Sequence, residues 1–338
     1  MYRVEIQDQG DFLVEDKDDT VLRAALLAGL GFPYECNSGG CGACKYQLIS
    51  GEIEELYADA PGLSARDKKK NLKLACQTRP LSDLKIKIRL DSEYIPPIRP
   101  TRQVARLVGK TSLTHDIREF RFLSQHKAKF LPGQYAKIYL FSECVSRCYS
   151  MSNLPNAEGV WDFQIRKVAK GLFTGKLFEE FDVGDSVVID GPYGNAYLRT
   201  KADRDIVCIA GGSGLAPMIS IARGAAERGL LKKHRLYFFY GGRTPADICG
   251  REILSELPEF DEAIAYYPIV SDLAGARASG WAGEVGMVHE LVPRVLQENL
   301  DQYEYYFAGP PPMVESVLEL LMAHHKVPFQ QIHFDRFF

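Results

Sequence analysis

No stretch of the chain is apolar for long enough to cross a bilayer. The most apolar segment, Ile206 to Ala222, is broken by Gly211, Gly212, Gly214 and Pro217, so no membrane span is expected. The opening MYRVEIQDQGDF carries acidic residues where a signal peptide needs an apolar run, which makes cytoplasmic residence the expectation. A basic excess is lacking too. Lys and Arg number 41 against 44 Asp and Glu, and a formal net charge of -3 offers no footprint for nucleic acid. The seven histidines form no HExxH and no triad-like grouping, and His289 and His333 are expected to be structural. Internal repeats and low-complexity segments are absent.

What is present separates into three textures over 338 residues, enough for two or three domains. Residues 1–92 open with strand-like Tyr2–Ile6 and Phe12–Val14. Thr20 follows as a helix N-cap before Val21–Leu27, and further strand-like runs lie at Tyr46–Ile49 and Leu84–Ile88. Residues 93–100 are rich in proline and have no periodic apolar face, so they read as a linker. In residues 101–199, short β-like runs punctuated by turns suit a small antiparallel β-barrel: Val104–Val108, Ile117–Phe122, Tyr135–Tyr139, Trp161–Ile165 and Ser186–Ile189. In residues 200–338, the strand-like runs Ile206–Ala210, Leu236–Tyr240, Ile264–Ile269 and Tyr303–Phe307 alternate with helix-length segments. That alternation predicts a doubly wound parallel sheet.

Half of the eight cysteines fall at Cys36, Cys41, Cys44 and Cys76, and the first three crowd into a glycine-rich loop. A C-x4-C-x2-C run followed by a distant cysteine is the plant-type arrangement for a [2Fe–2S] cluster. Gly39, Gly40 and Gly42 keep Cβ atoms away from the inorganic sulfides and let backbone amides aim at them. Structural zinc usually takes paired C-x2-C motifs, of which only one is present here. Cys144, Cys148, Cys208 and Cys249 are scattered and read as free buried thiols.

Three elements of the middle region suit a flavin. Arg147-Cys148-Tyr149-Ser150 offers a guanidinium for a pyrophosphate, an aromatic ring to stack and a hydroxyl for the ring edge. Gly171 and Thr174 open a helix-like segment, Gly175–Phe181, whose start is an anion site. Gly191-Pro192-Tyr193-Gly194 is a turn into the next domain. There, Gly211-Gly212-Ser213-Gly214 leads from a buried strand into the helix-like Met218–Arg228, which lets a nucleotide pyrophosphate approach a helix N-terminus. Gly309 and Pro310 form a second strand-to-helix turn before the core-facing helix Val314–Met322. Gly241 to Asp247 holds one Arg and an acid rather than a basic cluster for a 2′-phosphate, which favours NADH.

In this order the motifs resemble the ferredoxin–NAD(P)H reductase superfamily, in particular reductase components of bacterial oxygenases that carry an N-terminal ferredoxin domain. FPYECNSGGCGACK, LACQTRPLSDLKIKI and the closing VPFQQIHFDRFF are similar to the toluene monooxygenase reductases. The resemblance implies a multidomain α+β and α/β chain: a β-grasp-like ferredoxin domain, a small flavin β-barrel and a nucleotide domain. It implies that Arg147, Tyr149 and Ser150 hold FAD, with Gly171 and Thr174 at its phosphates. Gly211, Gly212 and Gly214 would face the NADH phosphates beside Gly309 and Pro310, and Phe337 would match a terminal aromatic near the flavin. Many relatives carry Cys-Gly-Pro-Pro at the last strand; here Ala308 stands in place of the thiol, and Asp335 stands where Glu is more usual.

The implied activity is NADH oxidation, with electrons passed singly to a Rieske-type ferredoxin serving a di-iron aromatic hydroxylase, or to an oxygenase component. A monomer is expected. The same chemistry suits the reductase of a Rieske aromatic-ring dioxygenase. A redox-sensing binding protein, the reading from a different class, needs neither a flavin barrel nor a hydride-donor domain. The acidic run Glu52, Glu54, Glu55 and Asp59 is a solvated face or a docking surface.

Overall fold

Val4 and Ile6 are buried while Arg3 and Glu5 are exposed, the period-two pattern that makes Tyr2–Ile6 a half-buried strand. The computed structural model describes residues 1–140, 145–297 and 299–338. It divides into two units: Met1–Thr101 with Gly191–Gly194 and Phe338, and Arg102–Asp190 with Asn195–Phe337.

In the first unit a five-stranded sheet runs in the order Gly10–Val14, Tyr2–Ile6, Leu84–Lys87, Lys45–Ser50, Leu72–Leu74. Tyr2–Ile6 pairs antiparallel with its hairpin partner and parallel with Leu84–Lys87. The helix Val21–Leu27 buries Val21, Leu22, Ala24, Ala25 and Leu26. Its start is fixed by the Thr20 hydroxyl, which accepts from the Arg23 amide at 3.2 Å. A small two-stranded sheet, Ile53–Glu55 against Thr78–Pro80, escapes the sequence patterns because its strands are too short to show a period. Ser92–Tyr94 forms a single 3-10 turn.

The second unit opens with a six-stranded near-barrel, ordered Ser146–Ser150, Tyr135–Leu140, Ser186–Tyr193, Thr101–Ser112, Ile117–Ser124, Val160–Arg166. A bridge between Met151 and Phe163 links its two edges. Phe120, Phe122, Phe130, Ile138, Trp161 and Phe163 fill the interior. The helix read at Gly175–Phe181 spans Leu172–Glu179, because Phe173 and Leu177 supply its buried face.

The remaining sheet is parallel throughout, ordered Glu284–Val285, Ile264–Val270, Leu236–Gly242, Asp205–Gly211, Tyr303–Gly309, Ile332–Arg336. Both faces are buried. Ile206, Cys208 and Ala210 pack with the helix Leu215–Glu227, whereas Val207 and Ile209 join the core of Val288–Leu296 and Pro311–Leu318. The strands stay parallel, but the order in which they are added reverses between Asp205–Gly211 and Tyr303–Gly309, a topological switch point whose carboxyl-end crevice takes ligands in such sheets.

The edge strand Ile332–Arg336 was not read from the sequence, because two of its inward positions are polar. His333 and Asp335 are buried. His333 Nε2 lies 2.7 Å from Glu304 Oε1 and stacks on Tyr306, the structural role expected of it. The helix expected over Val314–Met322 is regular over Pro311–Leu318 and then widens into a π turn, Glu319–His324. Cys208 and Cys249 are buried, as expected, but Cys148 is only half-buried; Cys144 lies outside the described residues. Among the described residues no helix is long and apolar enough to cross a membrane.

Candidate functional site

The cysteine loop lies between the helix Val21–Leu27 and the strand Lys45–Ser50, and Cys76 sits in the turn Ala75–Gln77. Cys36, Cys44 and Cys76 are buried and Cys41 is half-buried. The four thiols form two pairs. Cys44 Sγ lies 3.4 Å from Cys76 Sγ, and the Cys41 amide donates to Cys36 Sγ at 3.4 Å. Amides of Ser38 and Ala43 donate to Cys36 and Cys41 at 3.5 and 3.4 Å, and Gln77 Nε2 donates to Cys76 Sγ at 3.6 Å. The Cys41 side chain holds the Cys36 thiol well below the ordinary range, while Cys41 and Cys44 are pushed up by Cys36 and Cys76. Gly42 is in the left-handed region at φ 76°, and a Cβ there would meet the Gly62 carbonyl oxygen at 2.7 Å. Two thiol pairs with amide donors aimed at sulfur are the donor set a two-iron cluster requires.

In the barrel, Ser150 ends the edge strand Ser146–Ser150, opposite Tyr135. Its Oγ is buried and makes no hydrogen bond among the described residues. Leaving such a hydroxyl unsatisfied costs about 1–3 kcal/mol, which fits an acceptor or donor supplied by a bound flavin. Tyr149 packs its ring 5.4 Å from that of Phe173, and burial pushes its phenol up. Arg147 is exposed, and its Nη1 donates to the Ser146 carbonyl at 2.8 Å. Gly171 precedes the helix Leu172–Glu179 and provides no side-chain cap. The Thr174 hydroxyl is committed to the loop, where it accepts from the Val168 amide at 3.1 Å. With glycine at its N-cap, that helix start has no side-chain cap among the described residues, which suits an anion.

At the switch point, Gly211 to Gly214 turn from strand to helix beside Gly309 and Pro310. A Cβ on Gly214 would lie 2.0 Å from the Ala308 carbonyl oxygen, so only glycine lets the two strand ends close up. The Phe337 amide donates to the Gly309 carbonyl at 3.0 Å, and its half-buried ring packs on the nucleotide-domain core. Here the structure also assembles residues that no motif marks. Arg166 Nε bonds Asp116 at 2.5 Å, and its Nη2 lies 3.8 Å from Asp247 Oδ1. Nη1 of the same guanidinium lies 3.4 Å from where a Gly212 Cβ would sit. Nothing in the spacing of positions 116, 166 and 247 links them; the fold alone does so. Asp247, the acid counted in favour of NADH, accepts from the Thr244 amide and hydroxyl at 2.7 and 2.8 Å.

The acidic run is largely neutralised. Glu54 pairs with Arg79 at 3.5 Å, Asp59 with Lys68 at 3.3 Å, and Glu55 with Lys73.

Three family models match in order: the 2Fe-2S iron-sulfur cluster binding domain over residues 4–81, the oxidoreductase FAD-binding domain over 104–197 and the oxidoreductase NAD-binding domain over 208–319. Ferredoxin–NAD(P)(+) reductase CarAd of Metapseudomonas resinovorans is 41% identical over 340 residues, covering 100% of both chains. The ferredoxin–NAD(+) reductase component of the alkene monooxygenase system of Xanthobacter autotrophicus is 38% identical, covering 95% of this chain and 96% of its own. The xylene/toluene monooxygenase electron transfer component XylA of Pseudomonas putida is 32% identical, covering 99% and 93%. The solved structure of the ferredoxin reductase in carbazole 1,9a-dioxygenase superposes with a TM-score of 0.90 at 37% identity, covering 100% of this chain and 98% of that one. The chain thus belongs to the ferredoxin–NAD(P)H reductase superfamily, among the reductase components of multicomponent oxygenases, and is an NADH-dependent oxidoreductase that uses FAD and a [2Fe–2S] cluster.

Proposed function

We propose that this reductase delivers single electrons to a Rieske-type ferredoxin that serves a di-iron aromatic hydroxylase, working as a cytoplasmic monomer. The buried hydroxyl of Ser150, which has no hydrogen-bond partner among the described residues, carries the assignment of the flavin edge. In this reading Cys36, Cys41, Cys44 and Cys76 ligate the cluster. Arg147 and Tyr149 hold FAD with Ser150, and the helix start at Gly171 and Thr174 receives its phosphates. Gly211, Gly212 and Gly214 admit the NADH pyrophosphate, Gly309 and Pro310 border the nicotinamide, and Phe337 shields the flavin. Bound flavin supplies the exchange between a two-electron hydride donor and a one-electron acceptor. The residues orient the cofactors and exclude water.

The likeness to XylA supports the hydroxylase reading. A second reading, the reductase of a Rieske aromatic-ring dioxygenase, draws on the likeness to the ferredoxin reductase in carbazole 1,9a-dioxygenase. Reconstitution separates them. The purified protein is mixed with NADH and a Rieske-type ferredoxin, then with a di-iron hydroxylase or a Rieske dioxygenase. Coupled product formation with the hydroxylase supports the first reading, and coupling only with the dioxygenase overturns it.

A further inference from the structure

The turn that carries Cys76 is held from several sides. The Thr78 hydroxyl donates to the Leu74 carbonyl and accepts from Tyr46 Oη, both at 3.1 Å, and the Gln77 carbonyl accepts from the Leu56 amide at 2.9 Å. The Gln77 side chain lies over Gly39, where a Cβ would meet Gln77 Cγ at 3.1 Å. So placed, its carboxamide Nε2 points at Cys76 Sγ from 3.6 Å. The donors to Cys36 and Cys41 include backbone amides, which any residue would supply. The donor from Gln77 belongs to a side chain and so depends on residue identity.

We infer that Gln77 sets the reduction potential of the cluster by donating a hydrogen bond to the Cys76 sulfur, an inference that rests on the four-cysteine cluster reading. One-electron reduction makes the cluster and its thiolates more negative. A donor to sulfur stabilises the reduced state more than the oxidised one and raises the potential. Cys76 lies beside Cys44, the two thiols at 3.4 Å, so the donor acts at the Cys76 side of the four-cysteine set. Electrons leave the flavin for the cluster more readily with this donor in place.

The test is a redox titration followed by EPR on the full-length protein and on Gln77→Met and Gln77→Glu. Methionine keeps the length and removes the donor; glutamate adds a negative charge beside the sulfur. The expected result is a more negative midpoint in Gln77→Met, by about a tenfold change in the equilibrium constant, or about 59 mV for one electron. Gln77→Glu should fall further, while iron content and NADH reduction of the flavin stay unchanged. A Gln77→Met protein with full iron and the parent midpoint overturns the inference.

Should the variants fail to hold iron, the unaltered protein answers the question by pulsed EPR. With glutamine labelled by 15N at its side-chain amide, the reduced cluster should show a 15N coupling that label-free protein lacks; its absence overturns the inference. A protein with neither iron nor a cluster signal contradicts the cluster assignment itself, a failure distinct from an intact cluster indifferent to Gln77.

Discussion

The hydroxyl of Ser220, in the helix that leaves the glycine turn, donates to the carbonyl oxygen of Asn153 at 2.8 Å. Arg223 Nη1, one turn further along, donates to the Ser152 carbonyl at 2.9 Å. Both acceptors lie just beyond Ser150, so the nucleotide domain grips the barrel at the strand end assigned to the flavin edge. Ser220 is fully buried, and removing its hydroxyl leaves the Asn153 carbonyl without this donor. Ser220→Ala is expected to cost about 1–3 kcal/mol in thermal or urea unfolding. A melting point equal to that of the parent would show that the two domains do not rely on this bond.

Ser150 should respond in opposite directions with and without FAD. In flavin-free protein its hydroxyl is buried and unsatisfied among the described residues, so Ser150→Ala should be neutral or stabilising. With FAD bound the same change should lower stability and slow flavin reduction by NADH about tenfold, the effect of roughly 1.4 kcal/mol. Stopped-flow reduction and paired melting curves check both signs. Unchanged reduction by NADH would remove Ser150 from the flavin edge.

Alkali should unfold this protein by a route readable from its buried acids. Burial pushes Cys249 up to about 11 from an ordinary thiol value of 9.0. It moves Cys208, Tyr240, Tyr266, Tyr305 and Tyr306 in the same direction. Above pH 9 the unfolded chain gives up protons that the folded chain retains, so it binds fewer and stability falls as pH rises. For Cys249 alone the loss runs from about pH 9 to about 11. Melting temperature should decline across that window, together with the exposure of tyrosinate absorbance. A melting point flat to pH 11 would contradict the burial of these groups.

Local pattern and tertiary pairing divide what the sequence discloses. Tyr2–Ile6, Val21–Leu27 and four of the six parallel-sheet strands could be located because apolar period and capping residues act within a few positions of each other; the two-residue strand Glu284–Val285 is too short to show a period. Cys36, Cys41 and Cys44 were legible for the same reason. The strand Ile332–Arg336 was hidden because His333 and Asp335 occupy inward positions, made tolerable for His333 by Glu304 on the neighbouring strand. Arg166 was hidden for a similar reason, since its partners come from distant parts of the chain. Gln77 sits beside a cysteine in the sequence, yet only the fold turns its amide toward the sulfur.

Arg166 also carries a prediction. Its guanidinium stands beside Gly212 and is pinned by Asp116 at 2.5 Å. The guanidinium, oriented there by Asp116 and Asp247, offers N–H donors to a nucleotide pyrophosphate. Arg166→Ala should raise the KM for NADH about tenfold, the weight of one charge-assisted hydrogen bond, while kcat changes little. Steady-state kinetics with ferricyanide as acceptor measure both. A fall in kcat at constant KM would place Arg166 elsewhere in the cycle.

The most direct test is anaerobic titration of the purified protein with NADH, followed by visible absorption and low-temperature EPR on the same samples. The flavin bands should bleach and a reduced [2Fe–2S] signal should appear with NADH alone, showing that electrons pass from nicotinamide to cluster within one chain. Flavin and cluster that are both present yet stay oxidised under excess NADH would contradict the account.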